Sequence, residues 1–230
     1  MKRTSLFLLA LLSALTFAAR GAELSLIDVV KAGNREAVGA LLKAPTAAAA
    51  VNAPEADGTT ALHWAVRADE LDIARLLVGA GADANAANRY GLTPLSLAAA
   101  NANAAMVKLL LEAGADAKAT IRQGETILMA AARTGNPEAV ALILSHGADV
   151  HAREQTLGEN ALMWAAAENH PEVLKLLVAR GADVNARSSN IAWPKDRFGL
   201  EGVLTILPHG RWTPLMYAAR QGSLGAASSP

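Results

Sequence analysis

Along most of the chain, apolar residues fall three and four positions apart in two alternating kinds of short run. One kind is compact and rich in Ala, as in Ala61-Leu-His-Trp-Ala-Val and Ala161-Leu-Met-Trp-Ala-Ala. The other is longer and rich in Leu: Leu71, Ile73, Leu76 and Leu77; Met106, Leu109 and Leu110; Val140, Leu142 and Ile143; Val173, Leu174, Leu176 and Leu177. This spacing gives a helix one apolar stripe to bury. The alternation therefore predicts a succession of helix pairs. Their ends are marked too. Thr60, Thr93 and Thr126 stand where a hydroxyl can accept from a free helix N–H. Pro94 and Pro214 fall at the first helical position, where the missing donor costs nothing. Gly81, Gly114, Gly147 and Gly181 follow the Leu-rich runs, where a left-handed residue ends a helix.

The punctuation is periodic. Gly-Ala-Asp recurs at 81, 114, 147 and 181, and a second Gly series keeps the same beat at 58, 91, 124 and 158. After each of the latter comes a similar helix start: Thr60-Ala-Leu-His-Trp-Ala-Val, Thr93-Pro-Leu-Ser-Leu-Ala-Ala, Thr126-Ile-Leu-Met-Ala-Ala-Ala and Asn160-Ala-Leu-Met-Trp-Ala-Ala. Thr213-Pro-Leu-Met-Tyr-Ala-Ala follows Gly210 after an irregular gap. A period near 33 residues marks a stacked-repeat architecture. These residues resemble the ankyrin repeat, from about Glu23 to Leu224. The resemblance implies an all-α solenoid of stacked helix pairs with β-turn or hairpin tips and one long insertion.

The organisation follows. Residues 1–21 form an address: Met1-Lys2-Arg3, an apolar run from Leu6 to Ala19, then small residues around Arg20. That is the pattern of a cleaved secretory signal, and the run is short of the ~20 residues that span a bilayer. The chain is thus expected to be exported, and periplasmic or secreted in a Gram-negative host. Residues 22–56 read as a degenerate N-terminal capping repeat, 57–187 as four full repeats, 188–210 as an insertion, and 211–230 as a partial fifth repeat. The last unit stops before its second helix, so the expectation is a truncated chain or a module of a longer polypeptide. The insertion holds Trp193 and Phe198 and a β-prone run from Gly202. Long insertions usually fold on themselves or act; both a binding loop and a self-packed flap over the Ala-lined helices stay open.

Composition changes this picture little. The 230 residues carry 21 basic and 21 acidic side chains, so no global field draws the chain to nucleic acid or anionic lipid. With no Cys, disulfides, thiolate nucleophiles and Cys–zinc sites are excluded. Ala is roughly a quarter of the sequence, which suits slender helices packed closely.

Candidate chemistry is sparse. No phosphate-cradling Gly-Lys loop or Gly-x-Ser-x-Gly elbow occurs, and no two His share metal-ligand spacing. His63, in Thr-x-Leu-His, has the structural hydrogen-bonding role that the resemblance implies. Trp64 and Trp164 share one first-helix position and read as core packing more readily than as exposed anchors. The expectation is therefore a non-enzyme with no catalytic, cofactor or metal residues. It is a monomer that binds another protein, not nucleic acid, and not a membrane once the signal is removed. Carrying the ankyrin docking face onto this chain gives the tips Arg89, Tyr90, Arg122, Gln123, Thr156 and Leu157. It also gives Leu92, Glu125 and Glu159 after the turn glycines, and Arg67, Arg133 and Glu168 at first-helix ends. Trp193 and Phe198 join them from the insertion. Arg and Tyr are enriched at binding hot spots, so Arg67, Arg89, Tyr90, Arg122 and Arg133 are expected to form a basic, aromatic-bearing patch. An enzyme with a site under the insertion, near Trp193 and Glu201, is the competing reading.

Overall fold

The computed structural model describes residues 25–189 and 211–220. The signal-like segment and most of the insertion, with Trp193, Phe198 and Glu201, lie outside the described residues, as do 221–230. The helices are α1 (Leu26–Lys31), α2 (Arg35–Leu41), α3 (Ala47–Ala50), α4 (Ala61–Arg67), α5 (Leu71–Gly79), α6 (Pro94–Ala100), α7 (Ala104–Glu112), α8 (Ile127–Thr134), α9 (Pro137–Ser145), α10 (Ala161–Ala167), α11 (Pro171–Ala179) and α12 (Pro214–Arg220). No strand is formed among the described residues; the tips are turns, the third holding a short 3-10 helix at Arg122–Gly124, with one isolated bridge between Thr120 and Thr126.

The helices make two layers. The first layer stacks α1, α4, α6, α8, α10 and α12 in chain order, and the second stacks α2, α5, α7, α9 and α11. The layers meet along one apolar core that runs the length of the stack. Leu62, Leu95, Leu128 and Leu162 are its repeating first-layer members, and Ile73, Leu77, Met106, Leu110, Ile143, Val173 and Leu177 its second-layer members, all fully buried. Each of these side chains contributes roughly 1.5–3 kcal/mol. Ala65, Ala98, Ala131 and Ala165 have no exposed surface, so the Ala excess sits where first-layer helices touch.

The helix starts behave as their sequence predicts, with one difference. Thr93 and Thr126 hydroxyls accept from Ser96 and Met129 N–H at 3.2 Å, and Asn160 accepts from Met163 N–H at 3.0 Å. Thr60 instead turns its hydroxyl to His63 Nδ1 (2.8 Å). The Gly-Ala-Asp glycines all have positive φ, 88° at Gly81, which a Cβ disfavours. The following Asp closes each turn on itself, as Asp149 accepts from His151 N–H (2.8 Å) and Asp183 from Asn185 N–H (2.9 Å).

Neighbouring units are also stitched by side chains. Asn52 donates to the Gly81 carbonyl (2.9 Å) and accepts from Asp83 N–H (2.8 Å). Asn85 repeats both bonds one unit on, to Gly114 and Asp116. His63 Nε2 lies 3.0 Å from the Leu92 carbonyl while Nδ1 takes the Thr60 N–H at 3.2 Å, so the ring carries its proton on Nε2. This is the structural role expected of it, and burial pushes its pKa below the ordinary value.

Candidate functional site

The expected contact residues that are described lie at the tips, as Arg89, Tyr90 and Thr156 do, and at the ends of first helices, as Arg67, Arg133 and Glu168 do. The structure divides the expected patch into separate clusters. At the tips, Tyr90 is 39% exposed with Arg89 and Arg122 guanidinium centres 4.8 and 5.4 Å from its ring. Arg89 also donates to the Tyr90 hydroxyl (2.5 Å). Two successive repeats thus each bring a guanidinium to one ring, a favourable contact for each cation.

The second cluster lies at the N-terminal end. Trp64 is half-buried, its indole N–H donating to Glu55 (2.6 Å). Lys31 Nζ bonds the same carboxylate at 2.6 Å and sits 4.3 Å from the Trp64 ring, with Arg67 at 5.4 Å. The Lys31 ammonium and then the indole hold the Glu55 carboxyl below its ordinary pKa.

The third cluster is a groove of about 230 Å³ between α8, α10 and α12. Arg133, Glu159, Met163, Trp164, Ala167, Glu168, Tyr217 and Arg220 line it. Its floor is the half-buried Trp164, whose N–H donates to Glu159 (2.9 Å). The other oxygen of Glu159 accepts the Tyr217 hydroxyl. Burial, then this bond, raises the Tyr217 pKa, so it stays a neutral donor. The Arg133 guanidinium centre is 5.3 Å from the Trp164 ring, and its Nη2 is 4.0 Å from Glu125 Oε1. Desolvation raises the Glu125 pKa against the pull of Arg133. Arg220 covers Trp212 at 5.2 Å.

Beneath the fourth tip lies Glu154, 8% exposed. It accepts backbone N–H from Thr156 and Leu157 at 2.6 Å and from Glu159 at 3.0 Å. Burial opposes the charge, but these bonds win and keep its pKa below the ordinary value. Glu154 thereby sets the turn that delivers Glu159 to the groove. Its role was not visible in the sequence, where Glu154 is one acid among several in an exposed-looking tip.

Several expected contact residues have internal work. Gln123 gives its carbonyl to Gln155 N–H (2.7 Å), Leu157 gives its own to Ser189 N–H (2.6 Å), and Leu92 gives its own to His63. Thr156 is tied by its N–H and Glu159 by its carboxylate, whereas Arg67, Arg133 and Glu168 are exposed at the first-helix ends. Trp64 and Trp164 are partly buried and pack against the core, in keeping with the packing reading. Among the described residues, no group of three His, Asp or Glu side chains is placed to hold a metal ion.

A two-layer stack of helix pairs joined by turn tips defines a repeat solenoid, and the comparison with family models gives its kind. The model for ankyrin repeats (3 copies) matches residues 26–121 and 95–188, and the chain belongs to the ankyrin repeat family. Among curated proteins, the chain is similar to the nuclear factor NF-kappa-B p105 subunit of Rattus norvegicus, 39% identical over 72 residues. That match covers 27% of this chain and 7% of the rat protein, so the chain spans only a small part of that relative's length. Ankyrin repeats are in general protein–protein interaction modules.

Proposed function

We propose that this chain is a non-enzymatic scaffold that docks a partner protein, as a monomer, on the concave face formed by its tips and first helices. The observation that carries this reading is the set of half-exposed aromatics on that face, each with a cation over its ring: Trp64, Tyr90 and Trp164. Aromatic and Arg side chains dominate binding energy at interfaces. Here helices and stitches already hold them in place, so little ordering entropy opposes docking. Arg211 N–H bonds the Ser188 carbonyl (3.1 Å), and the proposal extends the docking residues to Trp193 and Phe198 of the insertion.

The test is affinity capture with mass spectrometry, comparing the native chain with two surface variants. Ala100→Trp with Ala167→Trp fills the face, and Lys108→Glu alters the opposite layer. The reading expects the captured partner to vanish only with the first. Equal capture by all three would overturn it. The signal-like residues 1–21 support export as part of the proposal. N-terminal sequencing of the exported fraction should then start near Ala22, and an intact chain confined to the cytosol would refute export.

A further inference from the structure

One register position on the docking face carries a pattern that the repeat itself does not require. Seven residues after each first-helix cap stand Arg67, Ala100, Arg133, Ala167 and Arg220. Stacking of α4, α6, α8, α10 and α12 puts these residues on one line across the face. Cation and small residue therefore alternate unit by unit. The three guanidinium centres lie 5.4, 5.3 and 5.2 Å from the rings of Trp64, Trp164 and Trp212. A planar guanidinium resting on a ring keeps its N–H edges for a carboxylate and loses less freedom on meeting one.

The acids nearby are largely committed. Glu55 holds Lys31 and Trp64, and Glu159 holds Trp164 and Tyr217. Arg133 has Glu125 only at 4.0 Å. Arg67 and Arg220 have no carboxylate at ion-pairing distance among the described residues. The line thus offers three cations, separated by Ala, whose donors are not taken up by a close carboxylate among the described residues. Packed helices sit roughly 8–10 Å apart, so the Arg residues are roughly 16–20 Å from one another. An extended polypeptide rises about 3.3 Å per residue and covers that span in about five or six residues.

We infer that the docking face takes an extended polypeptide segment whose Asp or Glu side chains recur at five- or six-residue intervals, each meeting one of Arg67, Arg133 and Arg220. The inference rests on the docking reading above and names its partner's chemistry. A nucleic acid strand fits less well. Its charges come every few ångströms, which sets phosphates against Glu125 and Glu168 between the cations. A peptide instead puts uncharged residues over Ala100 and Ala167.

Fluorescence anisotropy on the full chain tests this with labelled synthetic peptides. One has Asp at positions 2, 8 and 14 with Ser and Val between; a second has the same composition with the Asp residues adjacent; oligo-dT of equal length is the third probe. The spaced peptide should bind at least fivefold tighter than both others, and weaken as salt rises. Arg133→Gln and Arg220→Gln should each weaken it at least fivefold, and Arg75→Gln, exposed on the second-layer helix α5, should not. Equal binding of the adjacent-Asp peptide, preference for oligo-dT, no measurable binding, or indifference to the Arg variants would overturn the inference. The docking reading fails separately: if filling the face abolishes partner capture while Arg133→Gln with Arg220→Gln does not, docking stands and the acidic partner falls.

Discussion

The N-terminal and C-terminal halves of the stack solve the same packing problem by different means. Between the units built on α1 to α7, Asn52, Asn85 and His63 bond the backbone of the next unit. From the third repeat on, Lys118 and His151 stand where Asn stood, and Met129 and Met163 stand where His63 stood. The Met residues are fully buried and keep the core full, but they bring no bond of the His63 kind. What the second half adds is on its surface: Trp164, Glu159 and Tyr217 tie α10 to α12 across the groove. The second half keeps some backbone stitches of its own, Arg153 to the Arg187 carbonyl (2.5 Å) and His170 Nε2 with the Arg133 carbonyl (2.9 Å), and adds side-chain ties at its surface. The difference teaches that one repeat position can serve cohesion through a backbone stitch in one unit and through core packing in another.

The largest break in this comparison is expected at His63. Replacing it by Ala strands the Thr60 N–H and the Leu92 carbonyl and opens a cavity, a loss of about 3 kcal/mol in urea denaturation. The same residue makes the N-terminal half sensitive to acid. Its folded pKa lies below the unfolded value of about 6.5, so its neutral form stabilises fully above that pH. Stability is then lost as pH falls below about 6.5 toward the folded pKa. Melting curves from pH 8 to pH 5 should show this decline in the native chain and a shallower one in His63→Ala; parallel curves would refute the assignment.

Asn85→Ala removes two bonds at a partly hydrated site and should cost about 1–2 kcal/mol. Hydrogen exchange should localise the loss to the amides of α5 and α7, since repeats couple to their neighbours. Tyr217→Phe leaves Glu159 with Trp164 alone. It should cost about 1 kcal/mol and loosen α12 without touching α4, as read by the same exchange experiment. The smallest effect runs the other way. Lys118 already lies beside Gly147, its Cε within 3.2 Å of where a Cβ would be. Lys118→Asn should restore the stitch to Gly147 and Asp149 and raise stability by about 0.5–1 kcal/mol. No gain would mean that the Asn stitch depends on more than its own side chain.

The beat of Gly-Ala-Asp and the capping Thr residues made the solenoid readable, because each repeat states its helix ends locally. The stitches were half readable. Asp149 and Asp183 signal a turn, but a bond such as Asn52 to Gly81 joins residues a full repeat apart, which no local motif announces. The groove was the least legible part. Glu159 and Tyr217 are 58 positions apart with the insertion between them, and only stacking of α10 on α12 brings them together. Glu159 was in the expected contact set for its position after a glycine, not for the hydrogen bonds that fix it. The alternation of Arg67, Ala100, Arg133, Ala167 and Arg220 is written in the sequence, yet it means nothing until the register places those residues on one line.

The junction at the fourth tip has a further consequence. Ser188 N–H bonds the Trp212 carbonyl (3.0 Å) and Arg211 N–H returns to Ser188, so the chain departs and comes back through a closed neck. Whatever lies beyond the neck can grow or shrink at a closure cost that rises only as the logarithm of its length. The neck is therefore a natural socket for exchange. Loops of unrelated sequence could be spliced between residues 189 and 211 while the units on either side keep their register.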